Sequence, residues 1–189
     1  MMTLKLDSII HLNPELFKKL CQANPEAKLE LTYQGELVVM SPTGGVTGNR
    51  NTKLIARLEN WAEQDASGLV FESSTMFRLP NGAFRSPDAA WIRLDRWEKL
   101  TEAERETFSP ICPDFVVELR SKSDTLTFLQ DKMQEYINNG VQLGWLIDPI
   151  NKQVEIYRSG QPKEVLSNPT QLSGENILSG FVLSLSGIL

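Results

Sequence analysis

Histidine is nearly missing from this chain of 189 residues, with His11 the only one. That argues against Ser/His/Asp or Cys/His catalysis and against a histidine-rich zinc site. Cysteine is almost as scarce. Cys21 and Cys112 are the only two; they lie far apart and match no metal pattern, so both are expected to be reduced and structural. No apolar run approaches the roughly 18 residues of a membrane span. The segment from Met1 to Ser8 also lacks the apolar centre of a secretory signal, and a cytoplasmic protein is expected. Excess positive charge is lacking too. A net charge of −5 argues against a generic nucleic-acid coat without excluding a local basic patch. Repeats, low-complexity tracts and linkers are absent, so one domain over residues 1–189, with its core at about 29–157, is expected.

What is present is organised around residues 113–149. Phe115, Val117 and Leu119 alternate with Val116, Glu118 and Arg120, the period of a strand. Apolar side chains on both faces predict a central strand, which places the Glu118 carboxylate where burial normally forbids one. From residue 125 the period becomes helical. Leu126, Leu129, Met133, Tyr136 and Ile137 form one stripe, with Asp124 as the predicted cap and Gly140 just past the end. Trp145, Leu146 and Ile147 then make a short apolar strand. Strand, helix and strand at this spacing predict a right-handed crossover with parallel strands. Glu118 then lies near the edge of the sheet where α/β folds place their sites.

Residues 1–12 read as loose or edge-pairing, and Pro14 opens a short helix. Residues 29–33 and 36–40 form a predicted hairpin about Gln34 and Gly35. The loop from Ser41 to Gly48 is glycine-rich but lacks the Gly-Lys-Ser/Thr ending of a phosphate loop. A helix over 47–65 follows, then strands at 69–71 and 75–79 and a turn at Pro80, Asn81 and Gly82. A strand at 86–92 is opened by Pro87. Residues 93–107 read as a charged helix with Trp97 and Leu100 inward, and strands follow at 153–157, 164–166 and 181–185. The fold class is α/β, a central mixed sheet flanked by helices.

Asp88, directly after Pro87, and Glu118 both sit on apolar strands, and adjacent strands would bring them to one sheet edge. Such carboxylates are often satisfied structurally by an arginine or by backbone N–H groups. Paired beside basic residues, they also suit a hard divalent cation such as Mg²⁺ or Mn²⁺. That cation would polarise a phosphodiester and activate water, while a lysine neutralises developing charge. Asp114 shares the parity of Glu118 but lies about 13 Å away along an extended strand, so it is read as a strand-start residue. Glu36 and Glu72 are equally compatible with a third ligand and with solvated strands. Trp91 and Trp145 are expected in the core.

The ordered set of motifs resembles the Uma2 family of restriction-endonuclease-like proteins, in the PD-(D/E)XK nuclease superfamily. It comprises Gly35-Glu36-Leu37 with Ser41-Pro42-Thr43, then Ser86-Pro87-Asp88, and Val117-Glu118-Leu119 with Ser121 and Asp124. Lys132 to Tyr136 and Trp145 to Pro149 complete it. The resemblance covers about Leu29 to Tyr157 and implies a restriction-endonuclease-like fold, DNA as substrate and a two-fold homodimer. It also implies Asp88 and Glu118 as the ligands of Mg²⁺ or Mn²⁺. The superfamily's lysine belongs two residues after the glutamate, where this chain has Arg120, which cannot give up its proton. Lys132, at the edge of the helix stripe, is the candidate catalytic lysine, with little expected contribution to stability. The alternative for Lys132 is a snorkelling surface side chain. Arg120 and Lys122 are candidates for gripping phosphate. Two rival readings stay open: a catalytically inactive binding or assembly module, and a metal-dependent hydrolase of another ester.

Overall fold

The computed structural model describes residues 2–6, 9, 10 and 12–189, so His11 lies outside the described residues. In chain order the elements begin with β1 (Met2–Leu4), α1 (Pro14–Ala23), β2 (Leu29–Leu31), β3 (Leu37–Val39) and α2 (Gly45–Asp65). Next come β4 (Gly68–Glu72), β5 (Phe77–Arg78), β6 (Phe84–Arg85), β7 (Ala89–Arg93), α3 (Leu94–Trp97) and α4 (Glu102–Arg105). Then follow β8 (Phe115–Leu119), α5 (Leu126–Asn138), β9 (Leu143–Asp148) and β10 (Gln153–Arg158). The chain closes with β11 (Glu164–Ser167), β12 (Gln171–Ser173) and β13 (Val182–Ser184).

The central sheet is mixed, with strand order β11-β10-β9-β8-β7-β4. β8 and β9 are parallel neighbours, with Phe115 opposite Leu143 and Leu119 opposite Ile147. α5 connects them, as the short crossover predicts. The other pairs in this sheet are antiparallel. Every residue of β8 and β9 is buried, which is why both read as near-continuous apolar runs.

Strand parity divides the core. Phe115, Val117, Leu119, Trp145 and Ile147 pack on Leu54, Leu58 and Ala62 of α2. Val116 and Leu146 pack on the other face, against Leu129, Met133 and Tyr136 of α5. Glu118 has the parity of Val116 and therefore points toward α5.

The hairpin at β2 and β3 belongs to a separate five-stranded sheet, order β1-β3-β2-β6-β5, which the sequence pattern did not reveal. Its apolar face packs around Phe17 of α1 with Leu29, Leu31, Leu37 and Phe84. β1 supplies its edge, in keeping with an edge-pairing N-terminal segment. The turn about Gly82, which sits at φ +90°, carries the chain from β5 back into β6.

Other local differences have plain causes. The helix predicted over 93–107 is two single turns, because Thr101 opens a capping box with Glu104 and starts a new helix. Thr125, not Asp124, caps α5; Asp124 instead accepts from Ser121 N and Ser121 Oγ. β12, absent from the sequence reading, alternates exposed, buried and exposed over three residues and pairs with β13.

Candidate active site

Asp88 lies one residue ahead of β7, between Pro87 and the strand. Its Oδ2 accepts the backbone N–H of Leu119 at 2.8 Å, which ties it to the end of β8. Glu118 is 3% exposed. Its Oε1 accepts from Lys132 Nζ at 2.8 Å and from the Tyr136 hydroxyl at 3.1 Å. Lys132 and Tyr136 are one helical turn apart on α5 and present one face. Asp88, Glu118 and Lys132 thus line one open cavity of about 1190 Å³.

Lys132 is not at the boundary of the buried face. It is 2% exposed, and its second ion pair, 2.8 Å to Oε1 of the fully buried Glu30, explains why. Leu29 and Leu31 face α1, so Glu30 between them faces the opposite way. That side reads as solvent in the sequence, yet Lys132 of α5 lies against it. Glu30 also accepts from Arg85 Nη1 at 3.1 Å and from Ser86 N at 2.9 Å. Arg85 Nε reaches Glu135 at 2.5 Å. The sequence reading missed this chain of ion pairs. The signal was weak, because Leu29-Glu30-Leu31 alternates like a half-solvated strand and Glu30 shares its parity with Lys28 and Thr32, whereas Glu118 shares its own with Val116.

The charges respond to this burial. Loss of solvent pushes the Glu118 carboxyl up to about 7; Lys132 pulls it back, while Asp88 and Glu30 push it further. Asp88 is also raised, chiefly by burial, against the Leu119 hydrogen bond. Burial opposes the charge on Lys132, but Glu118 and Glu30 override it and hold the ammonium above its ordinary value. Glu30 likewise overcomes burial through Lys132 and Arg85 and falls below the usual glutamate value.

The remaining candidates separate. Arg120 Nη1 pairs with Asp148 at 2.7 Å, and its Nε reaches the Asp124 carbonyl at 3.4 Å. Lys122 is exposed in the loop after β8 and lines the cavity. Asp114 is a strand-start residue, bound to Arg96 at 2.8 Å and to Arg93 N. Glu36 pairs with Lys5 and lines a different cavity, whereas exposed Glu72 lines the large one and bonds Ser74. Lys28 and Arg50, which sequence reasoning did not single out, line the large cavity as well. So does the N-terminus of α2, whose cap Gly44 offers no side chain to its free N–H groups. Trp91 and Trp145 are in the core, and both cysteines are free thiols.

Among the described residues no group of three or more His, Cys, Asp or Glu side chains is placed to hold a metal ion. The two carboxylates that line the large cavity with Lys132, Asp88 and Glu118, are chemically suited to a hard cation. Asp88 Oδ1 and Glu118 Oε2 take no hydrogen bond among the described residues. The bonded ion pairs set Glu30, Glu118 and Glu135 against Lys132 and Arg85, and Asp88 acts on Glu118 through its field. Carboxylates outnumber the cations bonded to them, and a divalent cation would offset the excess negative charge, with waters completing its shell.

The Uma2 family model, described as "Putative restriction endonuclease", matches residues 14–186. The chain belongs to the Uma2 family. Its fold is similar to the crystal structure of a putative nuclease belonging to DUF820 from Anabaena variabilis, at a TM-score of 0.72 and 20% sequence identity. That likeness covers 85% of this chain and 88% of the other. No curated protein matches the chain. The Uma2 match spans Glu30, Asp88, Glu118 and Lys132 alike, so the whole constellation lies inside the family region. Among the described residues no helix is long and apolar enough to cross a membrane.

Proposed function

We propose that this chain is an endonuclease that hydrolyses DNA phosphodiester bonds with Mg²⁺ or Mn²⁺ held by Asp88 and Glu118. The observation that carries the reading is the convergence of these two carboxylates and Lys132 on one open cavity with basic residues around it. Lys28, Arg50, Arg120 and Lys122 line that cavity together with the acidic Glu59, Glu72 and Asp124, so its lining is mixed in charge. The cation, when bound, would polarise the scissile phosphate and lower the pKa of a bound water. Asp88 and Glu118 would hold it. Lys132 stands beside Glu118 to stabilise charge that develops on the phosphate.

Lys122, Arg50 and the free N–H groups at the start of α2 would meet the phosphate backbone. Arg120 keeps Nη2 free of hydrogen bonds among the described residues and can add to that grip. A two-fold pair of chains would present one cavity to each strand of a duplex, in a cytoplasmic setting that holds both DNA and magnesium.

The test is cleavage of supercoiled plasmid and of single-stranded DNA with Mg²⁺, with Mn²⁺ and with a chelator, using Asp88→Ala as the control. Cutting that needs the cation and Asp88 is expected; cutting that survives Asp88→Ala would remove the assignment. Lys122→Ala is expected to weaken DNA binding less than about tenfold, because an exposed ammonium gains little from the protein field. It should also lower the slope of log affinity against log salt by about one. Fluorescence anisotropy across a salt series checks both.

One observation favours a second reading, a catalytically inactive nuclease-fold module for binding or assembly. All three N–H bonds of Lys132 are directed at acceptors inside the protein: Glu118, Glu30 and the Ser86 carbonyl at 3.3 Å. DNA binding with no cation-dependent cut in any substrate would support that module.

A further inference from the structure

Lys132 stands on a helix, yet the groups that aim it come from elsewhere. An ammonium has three donors and no fixed plane, so its direction is set by where its acceptors lie. Two of the three lie outside both α5 and β8, one on β2 and one two residues ahead of Asp88. Glu30 Oε1 lies 2.8 Å from Nζ and the Ser86 carbonyl 3.3 Å. Glu30 cannot drift, because Ser86 N donates to the same oxygen at 2.9 Å and Arg85 Nη1 holds the other at 3.1 Å. Arg85 is itself fixed by Glu135, and Glu135 Oε1 accepts from Asn81 at 3.1 Å. Glu30, Arg85, Lys132 and Glu135 are each at most 8% exposed, so water competes little for these bonds.

We propose that Glu30 is the positioning residue for Lys132, so that strand β2 of the five-stranded sheet sets where the ammonium points in the cavity beside the central sheet. This inference rests on the endonuclease reading for its catalytic consequence, but not for its structural one. Glu30 does not line the large cavity, which Lys132 and Ser86 do. It acts on the reaction only through Lys132. Arg85 is the clamp that keeps Glu30 in place, and Glu135 sits one ion pair further out, bonded to Arg85 and not to Lys132.

Two readouts test it, one of them independent of catalysis. In a ¹⁵N-edited spectrum at neutral pH, a buried and fully bonded ammonium exchanges slowly and gives a resolved signal, assigned by its loss in Lys132→Arg. Glu30→Gln removes the charge but keeps the shape. It is expected to abolish that signal and to lower kcat about a hundredfold, the scale of a catalytic group displaced by roughly 1 Å, with KM unchanged. Glu135→Gln, one ion pair further from Lys132, should lower the melting temperature and cost the signal and kcat less than Glu30→Gln does. If Glu30→Gln does not fold, Glu30→Asp retains the charge, withdraws it by one methylene and is expected to show the same losses in milder form. A folded Glu30 variant that keeps the signal, or keeps kcat, overturns the proposal. A wild type that shows the signal, loses it in Glu30→Gln and cuts no DNA retains the positioning of Lys132 and overturns the endonuclease reading.

Discussion

Lys132→Ala is expected to lower cation-dependent DNA cleavage by roughly a hundredfold or more, the scale of a lost electrostatic stabiliser. It is also expected to destabilise the fold, contrary to what a flanking helix lysine would do. The position of the side chain decides this. Lys132 is 2% exposed and bonded to two carboxylates that are themselves buried. Removing one partner of such a pair leaves the other charges without compensation, at a cost of about 3–5 kcal/mol. Part of that cost is escaped, because Glu118 already titrates near 7 and becomes neutral once the neighbouring ammonium has gone. A loss near the lower bound follows, equivalent to a drop in Tm of roughly 6–12 °C for a chain of this size. The loss should deepen as pH rises, since a neutral Glu118 then becomes harder to keep. Circular dichroism melts at several pH values, alongside plasmid cleavage, check both effects. An unchanged Tm would mean that the Glu30–Lys132–Glu118 bridge is not formed in solution.

What could be read from the sequence was whatever depends on one period in one segment. The strand over 115–119, the helix after it and the parallel strand over 145–147 each carry a clean pattern, and a short crossover leaves little freedom in how they join. Asp88 and Glu118 could be paired because each adjoins or interrupts an apolar strand, and the two strands, β7 and β8, are neighbours. Glu30 was hidden by the same logic. Alternation in a short hairpin predicts that its polar side faces water, and only α5, about a hundred residues later, turns that side into an interior. Lys132 does lie against Glu118, but its burial was not legible, because the partner that buries it lies on that hairpin. Arg120 shows the complementary difficulty. Its parity along the strand is right for a site residue, yet Asp148 at the end of β9 draws the guanidinium toward itself. Pairings between distant segments are fixed by tertiary contacts that no local period encodes.

Glu118→Gln separates function from stability in the opposite sense to Lys132→Ala. Cleavage should fall by roughly a hundred- to a thousandfold, since the variant loses one of the two carboxylates proposed to hold the cation. Stability at pH 8 should rise. In the folded chain Glu118 titrates at about 7 against an ordinary 4.5, so the fold favours its protonated form. A raised carboxyl contributes stability that is fully present below about pH 4.5 and is lost as pH climbs through about 7. The amide of the variant never ionises and never incurs that loss. The variant should therefore exceed the wild type by roughly 1–3 kcal/mol at pH 8, since each tenfold change in proton affinity is worth about 1.36 kcal/mol. The difference should shrink toward zero as pH approaches 4.5. The sign holds because the cluster carries more carboxylates than cations, so neutralising one of them relieves repulsion, and Lys132 keeps Glu30 as its partner. Mg²⁺ or Mn²⁺ should narrow the gap from the other side, raising the Tm of the wild type far more than that of the variant. Thermal melts of both proteins from pH 4.5 to 8, with and without the cation, provide the measurement. A variant less stable than the wild type at pH 8, or a gap that does not close on acidification, would show that the Glu118 charge is a structural support of the fold, which the wild type has no reason to shed.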